Sequence, residues 1–176
     1  LHVDTEVAVP GGFMPLADIK LGDTVYDLHA IPTKVKQVTG VMLDRPCFRL
    51  NFQSGSEVIA DADHQWLVLD INHNECRILT TLQLADSGVT KGSRPLFAVP
   101  ICKGTRSLMY LVAVEPCPSV PVKCIEVDSP THTYLVTRHY IPTHNSTFAA
   151  GAPSPVFLPI KGEEGIDDLS VARVPT

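Results

Sequence analysis

The tripeptide His144-Asn145-Ser146 brings together three side chains able to rearrange a peptide bond. An Asn side-chain amide can attack its own backbone carbonyl, closing a succinimide and cutting the chain after itself. That reaction is slow unless a proton donor assists the carbonyl or the leaving amine, and a preceding His is well placed to do so. The Ser that follows supplies a hydroxyl able to accept an acyl group as an ester. The bare tripeptide is common in proteins. It draws its weight from its position, where a turn-rich, strand-patterned stretch ends and the composition changes.

Three further segments carry reactive groups. Asp61-Ala62-Asp63-His64-Gln65-Trp66 holds a His after two acids, which taken alone is more often a surface residue. Cys124 to Leu135 contains a thiol and His132 and by itself reads as strand, turn, strand. Asp4-Thr5-Glu6-Val7 and Gly22-Asp23-Thr24-Val25-Tyr26 are weak signals of a kind found in many chains. The five cysteines, at 47, 76, 102, 117 and 124, form no Cys-x-x-Cys pair and do not cluster with His at zinc spacing, so no metal site is expected. An odd number of scattered thiols suits a reducing, cytoplasmic compartment, and for any one of them the plainest reading is a small buried hydrophobe.

These groups need a scaffold, and the chain can supply one. At 176 residues and 19.1 kDa, with 44% hydrophobic and 19% charged residues, it is long enough for one domain and a small appendage. A net charge of −5 argues against a partner held through a nucleic-acid backbone. No apolar run approaches the roughly 18 residues of a membrane span. Leu1 in first place suggests a processed or excerpted piece. Period-two patterns predict strands over 5–9, 24–27, 33–43, 47–52, 57–60, 65–69, 108–115, 122–127 and 133–136. Only 15–19 and 81–86 read as helical, the second introduced by Thr80. Prolines number 15 in 176, above the usual ~5%, which also favours strands and turns. The expectation is an all-β fold.

Together the segments resemble an intein, the self-splicing protein element of the Hint (hedgehog/intein) fold. The resemblance covers residues 1–145: an N-terminal block at the start, an assisting-histidine block at Asp61 to Trp66, a penultimate block at Cys124 to Leu135 and a C-terminal block from Tyr140 to Ser146. It implies an all-β horseshoe with pseudo-two-fold symmetry, and a mini-intein without the endonuclease many relatives carry. It also implies single-turnover autocatalysis, no cofactor, and a monomer whose partners are its own flanking segments in cis, without nucleic acid or membrane. Splicing needs both junctions within covalent reach, so residues 1–5 and 140–145 are expected side by side on central strands.

Two departures from the common pattern are informative. Most members begin with Cys or Ser shortly before Asp-Thr, whereas Leu1-His2-Val3-Asp4-Thr5 aligns if Leu1 is the second residue or if no nucleophile stands at the start. Cys124 stands where Asp is usual. A minority group, class three inteins, couples a Trp two residues after the assisting His, a Cys in place of that Asp and a Thr before the final His-Asn. Trp66, Cys124 and Thr143 occupy those places. The resemblance then implies that Cys124 attacks the upstream junction, that the acyl group passes to Ser146, and that Asn145 cyclises to release the element and join its flanks. His64 would protonate the leaving nitrogen, with Trp66 and Thr143 positioning or polarising the site. A thiol near a His is expected to be held partly as thiolate. Asp61, where the fold commonly has Thr, is expected to orient His64 and raise its pKa. His132 either assists Asn145 or is an exposed turn histidine.

Three rival readings stand beside this one. A class one intein would carry its first Cys upstream of Leu1, with Cys124 a bystander. A Hint module that had lost splicing would serve only in binding, against which the intact Cys124, His64, His144, Asn145 and Ser146 argue. A plain all-β phage structural domain would require the tripeptide and the triplet to be accidental. Residues 146–176 contain too little apolar sequence to fold alone and read as the downstream flank. Ser146-Thr147 followed by Phe148-Ala149-Ala150 resembles the end of a P-loop running into its helix, as in phage RecA-like ATPases. The glycine cradle and lysine of such a loop are not in this chain, so the fragment cannot hold ATP.

Overall fold

The computed structural model describes residues 1–102, 106–145, 156–159 and 169–172. The strands are β1 (Glu6–Val9), β2 (Gly12–Pro15), β3 (Thr24–Tyr26), β4 (Pro32–Val38), β5 (Cys47–Phe52), β6 (Glu57–Asp61), β7 (Gln65–Asp70) and β8 (Glu75–Thr80). They continue as β9 (Thr90–Lys91), β10 (Arg94–Pro95), β11 (Phe97–Ile101), β12 (Ser107–Cys117), β13 (Ile125–Val127), β14 (Thr133–Val136) and β15 (Ile141–His144). Strands β16 (Val156–Pro159) and β17 (Leu169–Ala172) pair with each other. Among the described residues there is one α-helix, α1 (Thr81–Ser87), and a 3-10 turn at Leu16–Asp18. The all-β expectation is met.

The large sheet runs β2-β1-β14-β15-β7-β11-β12-β5-β6, with β8 also on β7, and a smaller sheet runs β13-β4-β3. Its connections follow from local turn chemistry. Val9 pairs with Gly12, so Pro10-Gly11 closes a tight hairpin, and Gly11 takes φ +87°, a conformation that penalises any residue with a Cβ. Thr80 caps α1 with a reciprocal box: its hydroxyl accepts from the Gln83 amide at 3.1 Å, and the Gln83 side chain accepts from the Thr80 amide at 2.9 Å.

Strands β11, β14 and β15 are buried along their whole length, and β7 is buried after its first residue. Buried on both faces, they cannot send polar side chains to water, so every polar group there must find a partner inside. Apolar packing supplies the surroundings: Leu1, Phe52, Trp66, Leu111, Tyr134 and Ile141 are all within 2% of complete burial. This is where the reactive residues of the C-terminal segment lie.

The chain start is held by backbone pairing. In the sheet order β14 lies between β1 and β15, and among the described strands no ladder pairs residues 1–5 with 140–145. Instead the first residues pair with the segment before β13. The Leu1 amine donates to the Lys123 carbonyl at 3.0 Å, the Lys123 amide donates back to Leu1 at 2.8 Å, and His2 bridges Val122. An apolar Leu1 side chain with no exposure anchors this pairing in the core. His64 stands between the two ends of the element, acted on by the Leu1 amine and bonded to Thr143 Oγ1.

Candidate functional site

Cys124 directly follows Lys123, the residue that clasps Leu1. Its backbone is fixed from the other side by Thr39. The Cys124 amide donates to Thr39 Oγ1 at 2.9 Å, and the Cys124 carbonyl accepts from the Thr39 amide at 2.9 Å. Lys123 is pinned too, its ammonium donating to the carbonyls of Ala17 at 3.2 Å and Ile19 at 2.8 Å. The Leu1 amine therefore sits among Cys124, Asp61, Cys47 and Arg45, whose charges it feels, and burial pushes its pKa down. Cys124 lies immediately before β13 rather than within a strand.

The thiol is not poised as a thiolate. Burial pushes the Cys124 pKa up, the Leu1 amine and Arg45 pull it down, and Asp61 adds to the rise. The expected depression by a neighbouring His is absent, because at a half-buried thiol desolvation outweighs the nearby cations. The hydroxyl of Tyr134, wholly buried on β14, is pushed up by burial and then by Cys124.

His64 is fully enclosed at the entry to β7. Its Nε2 is hydrogen-bonded to Thr143 Oγ1, linking the assisting-histidine block to the C-terminal block. Nδ1 has no hydrogen-bond partner among the described residues. Burial drives the His64 pKa well below the ordinary value, helped by the Leu1 amine and then by His144, so the ring is neutral near pH 7. Trp66 stands edge-on to it at 5.1 Å between ring centroids, and its indole N–H donates to Thr81 Oγ1 at 3.0 Å. Thr81, the first residue of α1, in turn donates its amide to the His64 carbonyl at 2.9 Å. The capped helix thus holds both aromatic rings of the site.

The C-terminal group lies on the neighbouring strand. His144 is buried, its Nδ1 bonded to Gln65 Oε1 at 3.0 Å, while Nε2 has no partner among the described residues. Burial and then His132 push its pKa down to about 3, against a smaller upward pull from the Asn145 backbone. The His132 ring centroid lies 6.0 Å from that of His144, and the His132 carbonyl accepts the Asn145 amide at 2.8 Å. His132 is half-buried against His144, so the exposed-turn reading does not hold. The Asn145 side-chain oxygen and nitrogen are buried and unpartnered among the described residues. An uncommitted amide in a dry site is costly unless a reaction uses it. Ser146 and the P-loop-like residues after it lie outside the described residues.

Asp61 takes a place other than the one expected. Its carboxylate accepts from Arg45 Nε at 2.5 Å, and Arg45 also reaches Asp63 at 2.7 Å. Asp61 touches His64 through the backbone, its carbonyl accepting the His64 amide at 3.2 Å. The His64 pKa accordingly falls rather than rises. An ionised guanidinium outcompetes a buried neutral imidazole for a carboxylate. Thr39, Gln65, Thr81, Arg45 and Tyr134 were not singled out from the sequence. Gln65, between His64 and Trp66, and Tyr134, within Cys124 to Leu135, stand inside blocks the sequence marked. Among the described residues no group of three or more His, Cys, Asp or Glu is placed to hold a metal ion. No described helix is long and apolar enough to cross a membrane.

No family model matches the sequence. A replicative DNA helicase DnaB of Mycobacterium leprae is 36% identical over 152 residues, which is 84% of this chain, and the chain spans only 24% of that protein. A DnaB of Mycobacterium intracellulare is 39% identical over 67 residues, 12% of its length. Among solved structures, the MchDnaB-1 intein is 32% identical with a TM-score of 0.66, covering 83% of this chain and 99% of its own. The Msm DnaB1 intein splicing domain, determined bound with zinc, is 33% identical at a TM-score of 0.66, covering 82% of this chain and 99% of its own. A DnaB intein from Synechocystis sp. PCC 6803 shares the fold at 17% identity and a TM-score of 0.63, covering 84% of this chain and 98% of its own. With a solved relative matched over nearly its entire length at this identity, the chain belongs to the inteins, protein-splicing domains of the Hint fold.

Proposed function

We propose that residues 1–145 splice themselves out of a host protein by the class three route, with Cys124 as first nucleophile. The observation that carries this reading is the two-way backbone clasp of Leu1 by Lys123, which sets the Leu1 nitrogen beside Cys124 and within the field of His64. In a precursor that nitrogen is part of the peptide bond to the upstream flank. Cys124 Sγ attacks the carbonyl carbon of that bond, and neutral His64 takes the thiol proton at Nδ1, its ring nitrogen free of Thr143. The C–N bond then breaks, and the same proton passes to the Leu1 nitrogen, leaving a thioester on Cys124 and a free amine. His64 acts as base and then acid, which its low pKa suits and a resting imidazolium would not.

The second half uses the C-terminal group. Ser146 Oγ attacks the thioester, forming an ester on Ser146 and returning the thiol. The Asn145 side-chain nitrogen attacks the Asn145 backbone carbonyl, the bond to Ser146 breaks, and a succinimide remains on the released element. The freed Ser146 amine takes the acyl group from its own ester, giving an amide between the flanks. His144 moves the proton in the Asn145 step, with His132 behind it. Residues 146–176 are in this reading the downstream flank, a fragment of a P-loop ATPase host. The curated relatives named as DnaB helicases agree with such a host.

Intact mass of a precursor with an upstream flank, followed over time, tests the reading. The expected products are the ligated flanks and a released 1–145 carrying a C-terminal succinimide. Flanks cut apart but never joined would contradict it.

A further inference from the structure

Gln65 is the residue the mechanism leaves unused although it touches a reactive group. We infer that Gln65 is a positioning residue for the Asn145 step, holding the neutral His144 ring in its Nδ1–H form so that Nε2 is the lone pair that works. The inference rests on the roles proposed above for Asn145 and His144, and takes its own support from three features.

The first is direct geometry. Gln65 Oε1 lies 3.0 Å from His144 Nδ1, and a carbonyl oxygen can only accept, so Nδ1 carries the proton. The second is topology. His144 pairs with Gln65 in the only register contact between β15 and β7, so the two side chains meet directly across the strands. The third is the condition of the other ring nitrogen. His144 Nε2 is buried and unpartnered among the described residues, as are both side-chain atoms of the adjacent Asn145. A purely structural His at the centre of a sheet would have both nitrogens satisfied.

The proton balance follows. As Asn145 Nδ2 bonds to the Asn145 carbonyl carbon, it gives one proton to His144 Nε2. The ring is then briefly cationic, its Nδ1–H still held by the Gln65 carbonyl, which stabilises that charge. When the bond to Ser146 breaks, Nε2 returns the proton to the departing nitrogen. Turned to the other tautomer, the ring would present an N–H to the attacking amide and could not accept its proton. His132 and His64 are the titratable groups whose charges are coupled to His144, and neither is a carboxylate; the Asn145 backbone pulls the other way.

The test uses the whole 176-residue chain labelled with 15N in histidine, with the His144 signals assigned by their loss in His144→Gln. The expected imidazole pattern for His144 is Nδ1–H at neutral pH, and Gln65→Met should shift it toward Nε2–H. Cutting between Asn145 and Ser146, followed by mass in the same chains, should slow about 10²-fold in Gln65→Met, the scale of a lost proton-transfer group. Gln65→Glu keeps an acceptor on Nδ1 and should restore the tautomer, while moving the His144 titration and the cleavage profile to higher pH. An Nε2–H form in the unaltered chain would overturn the inference, as would Gln65→Met cutting at the parent rate. If His144→Gln also cuts at the parent rate, the role of His144 itself fails. If His144→Gln is slow and Gln65→Met is not, only the role of Gln65 fails.

Discussion

Leu1 and Lys123 exchange both of their backbone hydrogen bonds, at 3.0 Å and 2.8 Å. In an antiparallel pair of this kind the residue after Lys123 faces whatever precedes Leu1. That residue is Cys124. The clasp therefore brings a thiol more than a hundred positions away beside the Leu1 nitrogen, as the proposed route requires. The buried Leu1 side chain anchors this pairing in the core.

The pH dependence of the first step separates two kinds of thiol chemistry. Burial holds the Cys124 pKa above 9.0, so attack by preformed thiolate would accelerate about tenfold per pH unit from pH 6 to 8. With His64 neutral across that range and taking the proton during attack, the rate of thioester formation should be nearly flat. Rapid-quench measurement of thioester formation at several pH values decides between the slopes.

The same buried rings make the fold acid-sensitive. His144 has a folded pKa of about 3 against an ordinary 6.5, so between those values the unfolded chain binds a proton that the folded chain does not. Stability is complete above about pH 6.5 and falls by about 1.4 kcal/mol per pH unit for this one group as pH drops toward 3. His64, also depressed, adds to the slope, while Asp70, held below 3.8, contributes only at lower pH. Denaturant titrations from pH 7 to 4 should show the loss, and His144→Gln should reduce its slope.

Thr143→Val removes the one partner of His64 Nε2 among the described residues while keeping the shape. Leaving that nitrogen unsatisfied in a dry site should cost about 1–3 kcal/mol. It should also slow thioester formation, because the ring loses the bond that fixes its orientation. A shift in melting temperature together with a slower first step is expected, and an unchanged first step would remove Thr143 from the machinery.

Asp61→Asn should act on stability more than on chemistry. The carboxylate is committed to Arg45 at 2.5 Å, and Arg45 is partly exposed, so breaking the pair should cost about 1–2 kcal/mol, less than a wholly buried pair. The His64 imidazole signals should stay in place. Movement of those signals in Asp61→Asn would mean that the carboxylate reaches His64 after all.

Much of the scaffold was legible in local pattern. Cys47–Phe52 and Thr133–Val136 read as strands with their observed bounds, and Thr80 announced α1. Of the strands that escaped, β2, β10, β11 and β15 contain proline. Phe97–Ile101 contains Pro100 and Ile141–His144 contains Pro142, which normally argue against a sheet interior. Both are tolerated because β7 pairs with β11 only at Phe97 and Ala98, and with β15 only at His144, so neither proline nitrogen faces a ladder bond on that side. The reading of 33–43 as one strand ran too far, since β4 ends at Val38 and Thr39 turns to hold Cys124.

Within the site, His64, Trp66, Cys124, Thr143, His144 and Asn145 stood out because their spacing matched a pattern of linked blocks. Thr39, Tyr134 and the Leu1 clasp did not, since each depends on a pairing between distant segments that no local window contains. The direction of the Cys124 and His64 shifts was equally hidden. A neighbouring ring or carboxylate is visible in sequence, but burial is not, and at both residues burial is the larger influence.

Asn145→Ala should block release of the downstream flank while leaving the upstream transfers intact, so the branched ester on Ser146 accumulates. His144→Ala should slow the same release about 10²-fold. Denaturing gels of the precursor read both, and ligated flanks appearing at the normal rate from Asn145→Ala would contradict the role of that side chain.

The central claim is that Cys124 attacks the upstream junction, and thiol interception tests it most directly. A precursor with an upstream flank free of Cys before Leu1, and with Asn145→Ala, should release that flank when a small thiol is added, because the thiol captures the thioester on Cys124. Cys124→Ala and His64→Ala should each abolish the release, and Ser146→Ala should leave it intact. Persistent thiol-induced release from the Cys124→Ala precursor would place the first nucleophile elsewhere and contradict the account.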